Sequence, residues 1–186
     1  MRLTEIVHET LKDHVQSGDL AMDATAGNGY DTCYLSELVG NTGKVISIDI
    51  QIEAIKSTRR LLTVTTLVDR VNLLCGNHSV ILDQLLEVYK NSIATIVFNL
   101  GYLPGSDKCV KTEPKNTIHA LNSASKLLNP GGLLSVMAYR AHLGGEEETN
   151  SVKKWMASKE DIGWQINSYD PVSSNQSPIL WIAYKP

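Results

Sequence analysis

The order of apolar and polar positions divides this chain into alternating helix-like and strand-like stretches. Leu3, Ile6, Val7, Thr10, Leu11 and His14 recur at about 3.6 residues per turn, which predicts a helix over 3–15. His8 and His14 read as the surface and packing edge of that helix. Ser17-Gly18-Asp19 ends it, and the short apolar run from Leu20 to Met22 reads as a buried strand tipped by Asp23. Helical spacing returns over 31–39, before a strand at 45–50, and again over 52–62, before a strand at 71–75. A helix over 79–89 leads into Ile93 to Asn99, whose near-continuous apolar run is that of a central parallel strand. A helix from Asn116 to Leu128 stops at Asn129-Pro130-Gly131-Gly132, and a strand over 133–139 follows. Glu146-Glu147-Glu148 open a last helix, where first-turn carboxylates interact favourably with the helix dipole. Strands at 164–169 and 179–184 close the chain with no helix between them, so they should pair antiparallel.

Strands alternating with helices predict an α/β fold with a mostly parallel sheet. With the closing pair added, the expectation is seven strands, helices on both faces and an antiparallel terminal hairpin. Composition changes this picture little. A length of 186 residues fits a single domain over 1–186. Apolar residues make up 42% and charged residues 20%, as in soluble globular proteins. No apolar run reaches membrane-spanning length and no signal-peptide pattern opens the chain, so a cytoplasmic location with no membrane partner is expected. Cys33, Cys75 and Cys109 are scattered without metal-ligand spacing, which predicts reduced thiols and no metal. The formal net charge of −3 neither advertises nor excludes a nucleic-acid partner.

The chemistry gathers where the first two strands end. The run Leu-Ala-Met-Asp-Ala-Thr-Ala-Gly-Asn-Gly-Tyr-Asp (20–31) is a strand, a small-residue turn and a helix start. Val-Ile-Ser-Ile-Asp-Ile-Gln (45–51) is a second strand that carries Asp49 near its tip. An acid about 20 residues past such a turn is placed to hold two ribose hydroxyls. The turn lacks the third glycine of a dinucleotide fingerprint, which argues against a pyrophosphate on the helix N-terminus. It suits a nucleoside with an amino-acid tail, S-adenosylmethionine. Asn77 and His78 end the third strand, where uncharged hydrogen-bonding groups suit an adenine edge. For Asn77, helix capping is an equally good reading.

Six segments share their order with one family: 23–32, Asp49-Ile50-Gln51, Asn77-His78, Phe98 to Lys108, Tyr139 to Glu147, and Asn175-Gln176. On these residues the chain resembles the MnmM-type family, whose members were first labelled rRNA methylases. Ala141 and Ser106 depart from the family's usual glycines. The resemblance implies a Rossmann-like class I methyltransferase fold and S-adenosylmethionine as methyl donor. It also implies a tRNA substrate, methylated on the primary amine of 5-aminomethyl-2-thiouridine at the wobble position. Under it, Asp49 and Gln51 hold the ribose, and Asp23, Gly27, Asn28, Gly29 and Asp31 the methionine end. Asn77 and His78 then hold the adenine, and Asn99 borders the transferred methyl.

The residues after the fourth strand bear on the substrate independently. Methylases of conjugated exocyclic amines usually place two prolines after the strand-four Asn. This chain has Asn99-Leu100-Gly101-Tyr102 instead, which favours an aliphatic amine. Such an amine must lose a proton before it attacks, and Asp107 and His142 are candidate acceptors on strand-end loops. Turn formation serves Asp107 as well, and a structural hydrogen bond serves His142. Lys108, Lys111, Lys115, Arg140, Lys153 and Lys154 could form a rim for phosphates of an anticodon stem-loop. A flipped base could stack on Tyr102 or Tyr139. A domain this small with no RNA-binding appendage points to a homodimer. Methylation of rRNA or of a small-molecule amine, and non-catalytic cofactor binding, stay open as alternatives.

Overall fold

The computed structural model describes residues 2–101, 112–141, 143–171 and 177–186. The helices are α1 (Leu3–His14), α2 (Tyr30–Leu38), α3 (Ile52–Val64), α4 (His78–Tyr89), α5 (Pro114–Leu127) and α6 (Gly145–Glu160). The strands are β1 (Leu20–Asp23), β2 (Lys44–Asp49), β3 (Val71–Cys75), β4 (Ile93–Leu100), β5 (Leu128–Ala138), β6 (Gln165–Tyr169) and β7 (Ile179–Tyr184). They form one sheet in the order β3-β2-β1-β4-β5-β7-β6. Strands β1 to β5 run parallel, and β7 is antiparallel to both β5 and β6. The predicted fold class and the antiparallel end are borne out. The closing pair is more deeply embedded than a terminal hairpin, because β7 lies between β5 and β6.

Strand alternation sorts the core into two layers. Met22, Ile46, Ile48, Ile96, Phe98, Leu134 and Val136 point to one face, where α4, α5 and α6 cover them with Leu82, Leu121, Leu127 and Met156. Ala21, Val45, Val97, Leu133 and Met137 point to the other, against Val7 and Leu11 of α1 and Leu35 and Val39 of the α2 segment. The central strands are therefore apolar on both faces, which is why β4 reads as a near-continuous apolar run. The edge strands β3 and β6 are only partly buried.

Two segments differ from expectation in instructive ways. The Asn129–Gly132 stop does end α5, but the residues stay within β5 as an irregularity. The β4–β5 register passes from Ile93 with Leu128 to Thr95 with Leu133. Gly131 takes φ +77°, and its N–H bonds the Lys185 carbonyl at 2.9 Å. At the start of α6, Glu146 and Glu147 are exposed, as dipole partners should be. Glu148 instead turns inward and is 1% exposed. It accepts hydrogen bonds from the hydroxyls of Thr112, at 2.6 Å, and Thr117, at 2.5 Å. Thr112 N–H also reaches the Gly101 carbonyl at 2.9 Å, so the chain on either side of 102–111 converges beside α6.

The sheet's reversal point lies between β1 and β4, since the connections before β4 build outward in one direction and those after it in the other. Open α/β sheets bind ligands there, at the strands' carboxyl ends. Phe98 fills the core directly beneath this edge and is fully buried. Phe98→Ala should destabilise the fold by about 3–5 kcal/mol through lost burial and a residual cavity, read from the midpoint of urea unfolding.

Candidate active site

The last residue of β1, Asp23, is fully buried. One carboxylate oxygen accepts the Thr25 N–H at 3.1 Å and the other the Thr32 hydroxyl at 2.6 Å. Thr32 lies 2.8 Å from the Ser47 hydroxyl on β2, so a polar chain ties β1, α2 and β2 together beneath the turn. Burial, and next the negative charge of Asp31, push the Asp23 carboxyl from an ordinary 3.8 up to about 7. Asp49 contributes in the same direction. Three carboxylates thus converge on one turn, an arrangement that favours a cation.

Asp49 ends β2 and faces the turn from the other side. One oxygen accepts the Gly27 N–H and the other the Gln51 N–H, each at 2.9 Å. Burial raises its carboxyl above the usual carboxylate range, against the lowering effect of these backbone donors. Gly27 and Gly29 both take positive φ, +54° and +87°. At Gly29 the need is packing as well as conformation, because a Cβ would sit 2.8 Å from Thr58 Cα on α3. Its missing side chain makes room for α3. Asn28 is partly buried at the same bend.

Asp31 lies in the first turn of α2 and is held from two sides. Its Oδ2 accepts Asn99 Nδ2–H at 2.7 Å, and its Oδ1 lies 2.9 Å from His8 Nε2. Asn99, near the end of β4, donates its backbone N–H to the Thr25 hydroxyl at 2.7 Å. Tyr139 follows β5 and is 40% exposed; partial burial and then the Asp31 charge raise its hydroxyl pKa. Asp31, Asn99 and Tyr139 therefore gather at the carboxyl ends of β4 and β5, beside the Asp23–Asp49 turn.

Beyond β3, Asn77 caps α4, its side-chain oxygen accepting both the N–H and the hydroxyl of Ser79 at 2.9 Å. The capping reading of Asn77 is thus realised. His78 is packed edge-on to Phe98 with ring centroids 5.8 Å apart. Burial lowers its pKa to about 4, despite a hydrogen bond to the Ala24 backbone. Its Nε2 is buried and finds no partner among the described residues. A neutral imidazole with one unmet hydrogen-bonding atom fits the uncharged edge of a purine.

Arg140 follows β5 and is engaged at the antiparallel end of the sheet. Its Nε donates to the Ser177 carbonyl at 2.6 Å and its Nη2 to Asp170 at 2.9 Å, so it clasps the β6–β7 ends together. Lys115, Lys153 and Lys154 are exposed on α5 and α6. Tyr102, Asp107, Lys108, Lys111, His142, Asn175 and Gln176 lie outside the described residues. Among the described residues no cluster of His, Cys, Asp and Glu could hold a metal ion, and no helix is long and apolar enough to cross a membrane. His8 was missed: on the sequence it is one polar residue on an amphipathic helix, and only the docking of α1 on α2 brings it to Asp31.

A sheet of this order, reversing at β1/β4 and carrying an acid-tipped β2 against a glycine bend, defines a class I S-adenosylmethionine-dependent methyltransferase. The family model described as "Putative rRNA methylase" matches residues 45–185, and the chain belongs to that family. A model for protein-L-isoaspartate(D-aspartate) O-methyltransferase matches residues 2–80, the part that holds β1, its turn and β2. The chain is 32% identical over 195 aligned positions to the chloroplastic tRNA (mnm(5)s(2)U34)-methyltransferase of Arabidopsis thaliana, covering 99% of this chain and 69% of that protein. The crystal structure of a "putative rRNA-methylase" from Clostridium thermocellum superposes with a TM-score of 0.91 at 35% identity, covering 98% and 97% of the two chains. That of a "putative methyltransferase" from Streptococcus mutans in complex with SAH superposes at 0.86 and 30% identity, covering 100% of this chain and 99% of that one.

Two outcomes follow from the acidic turn. Asp49→Ala should weaken S-adenosylmethionine binding about 10- to 100-fold, the loss expected when hydrogen bonds to a charged acceptor are removed; isothermal calorimetry reads it directly. Asp23 gives a pH dependence of definite sign. Its folded pKa, about 7, exceeds the ordinary 3.8, so between these values the folded protein holds the extra proton. Stability of the ligand-free protein from this group therefore falls as pH rises from about 4 to about 7. Asp23→Asn removes the titration, and its melting temperature should decline less across that window than the wild type's.

Proposed function

We propose that this methyltransferase acts on tRNA, transferring a methyl group to the primary amine of 5-aminomethyl-2-thiouridine at the wobble position. The observation that carries the reading is the match along nearly the whole chain to a tRNA (mnm(5)s(2)U34)-methyltransferase. The residues present fit the cofactor. Asp49 and Gln51 would take the ribose, Gly27, Asn28, Gly29 and Asp31 the methionine end, and Asn77 and His78 the adenine. Asp23, being fully buried, would act through Thr25, Thr32 and its charge.

S-adenosylmethionine supplies a methyl group on a positive sulfur that becomes neutral when the methyl leaves. The protein's part is to present an amine that is unprotonated and in line. Asn99 suits this task. Because its Nδ2 is committed to Asp31, its Oδ1 is the atom left to accept a hydrogen bond from the incoming amine. Leu100-Gly101 stands where methylases of planar amines carry two prolines, and that difference supports an aliphatic acceptor. Asp107 and His142 remain the proposed proton acceptors. Tyr102 and Tyr139 remain proposed stacking partners for the base, and Lys108 and Arg140 proposed contacts to the anticodon stem-loop.

The family description favours a second reading, methylation of rRNA. A transfer assay separates the two. Purified protein and labelled S-adenosylmethionine are incubated with tRNA carrying 5-aminomethyl-2-thiouridine, or with ribosomal RNA, and the nucleosides are resolved by mass spectrometry. The expected result is one added methyl on the tRNA nucleoside and none on the ribosomal RNA. Label confined to ribosomal RNA would replace the proposal by the second reading.

A further inference from the structure

His8 belongs to a helix that contributes no strand-end residue, yet its ring is fixed in two dimensions. Nε2 lies 2.9 Å from Asp31 Oδ1. One face stacks on Tyr34 of α2, with centroids 4.2 Å apart and planes 17° from parallel. The Tyr34 hydroxyl in turn donates to the His8 carbonyl at 3.1 Å. The contact is not needed to dock α1, since Val7, Leu11 and Val15 already bury that helix's apolar edge. Its geometric effect falls on Asp31. With Asn99 on Oδ2 and His8 on Oδ1, the carboxylate is held between β4 and α1 and cannot rotate about its own axis.

We infer that His8 is a positioning residue of the cofactor site: by donating Nε2–H to Asp31 it fixes the carboxylate that receives the ammonium end of S-adenosylmethionine and, through Asp31, the amide of Asn99. The inference rests on the assignment of Asp31 to the methionine end. Free of the His8 bond, Asp31 would sample rotamers that also release Asn99 Nδ2. The amide that presents Oδ1 to the amine would then lose its orientation. A single side chain of α1 would thereby set both the hold on the cofactor and the aim of the strand-four Asn.

Four variants test this: His8→Phe, which keeps the stack on Tyr34 and deletes the donor; His8→Gln, which restores a donor; Asp31→Asn; and the His8→Phe/Asp31→Asn pair. Each is titrated calorimetrically with S-adenosylmethionine and with S-adenosylhomocysteine, which keeps the ammonium and lacks the sulfur charge, and each is melted. His8→Phe should weaken both ligands about tenfold, from loss of one hydrogen bond to a charged acceptor. His8→Gln should recover most of that loss, and the double variant should bind no more weakly than Asp31→Asn alone. In steady state the KM for S-adenosylmethionine should rise in His8→Phe while the KM for RNA stays unchanged. The inference is overturned if His8→Phe binds like wild type while Asp31→Asn is impaired. It also falls if His8→Gln restores the melting temperature but not the affinity, or if the two single losses multiply in the double variant. Should Asp31→Asn itself bind like wild type, the methionine-end assignment fails, and this inference with it, while the ribose and adenine assignments stand.

Discussion

The carboxylate of Asp49 receives one backbone N–H from the bend after β1 and another from the entry to α3, and the geometry of the site depends on that double acceptance. It fastens the tip of β2 to the loop of β1, so the groups that follow each strand share one floor. The buried Asp23–Thr32–Ser47 chain repeats the arrangement one layer below, joining the same two strands and α2. Both devices hold negative charge in a poorly solvated place. That is costly for the free protein and favourable once a cation arrives, and the raised pKa values of both acids report the cost. A cofactor bearing a sulfonium and an ammonium group is complementary to such a site.

Polar groups at the strand ends divide into those that shape the crevice and those free to face a ligand. Asn77 and Arg140 spend hydrogen bonds on capping α4 and on clasping the β6–β7 ends. His78 is the reverse case: a ring wedged against Phe98, kept neutral by burial, with one nitrogen unmet among the described residues. Asn99 and Asp31 stand between: Asp31 is held by Asn99 and His8, the Asn99 amide is bonded to Asp31, and each retains acceptor capacity. The buried Glu148, held by two threonine hydroxyls, performs an equivalent structural task on the other face of the sheet, where α5 and α6 meet.

Much of this was legible in the residues. The strand positions, the parallel core, the antiparallel end and the acid-tipped second strand all follow from apolar periodicity and from the distance between the small-residue bend and Asp49. Thr32 is the last residue of the segment 23–32, and only the fold shows its bond to Asp23. The helical pattern of 3–15 puts His14 on the packing edge and His8 on the surface, and names a partner for neither. Yet His8 meets Asp31 and Tyr34, while His14 meets the Ala94 carbonyl and Tyr184. Likewise three successive glutamates look alike on a first helical turn, and only the direction of Glu148 relative to α5 singles it out.

The sequence by itself determined the local geometry: which stretches are strand or helix, where the chain must bend, and that a carboxylate stands at the end of β2. These are short-range matters, decided by side-chain periodicity, glycine's freedom at positive φ and the few residues on either side of a turn. Tertiary structure alone decided which distant groups meet: β7 entering between β5 and β6, α1 bringing His8 to Asp31, α3 occupying the space left by Gly29, and Arg140 turning to Asp170. Each of these contacts joins residues far apart in the chain, and its partner is selected by how whole elements pack, which no local pattern encodes.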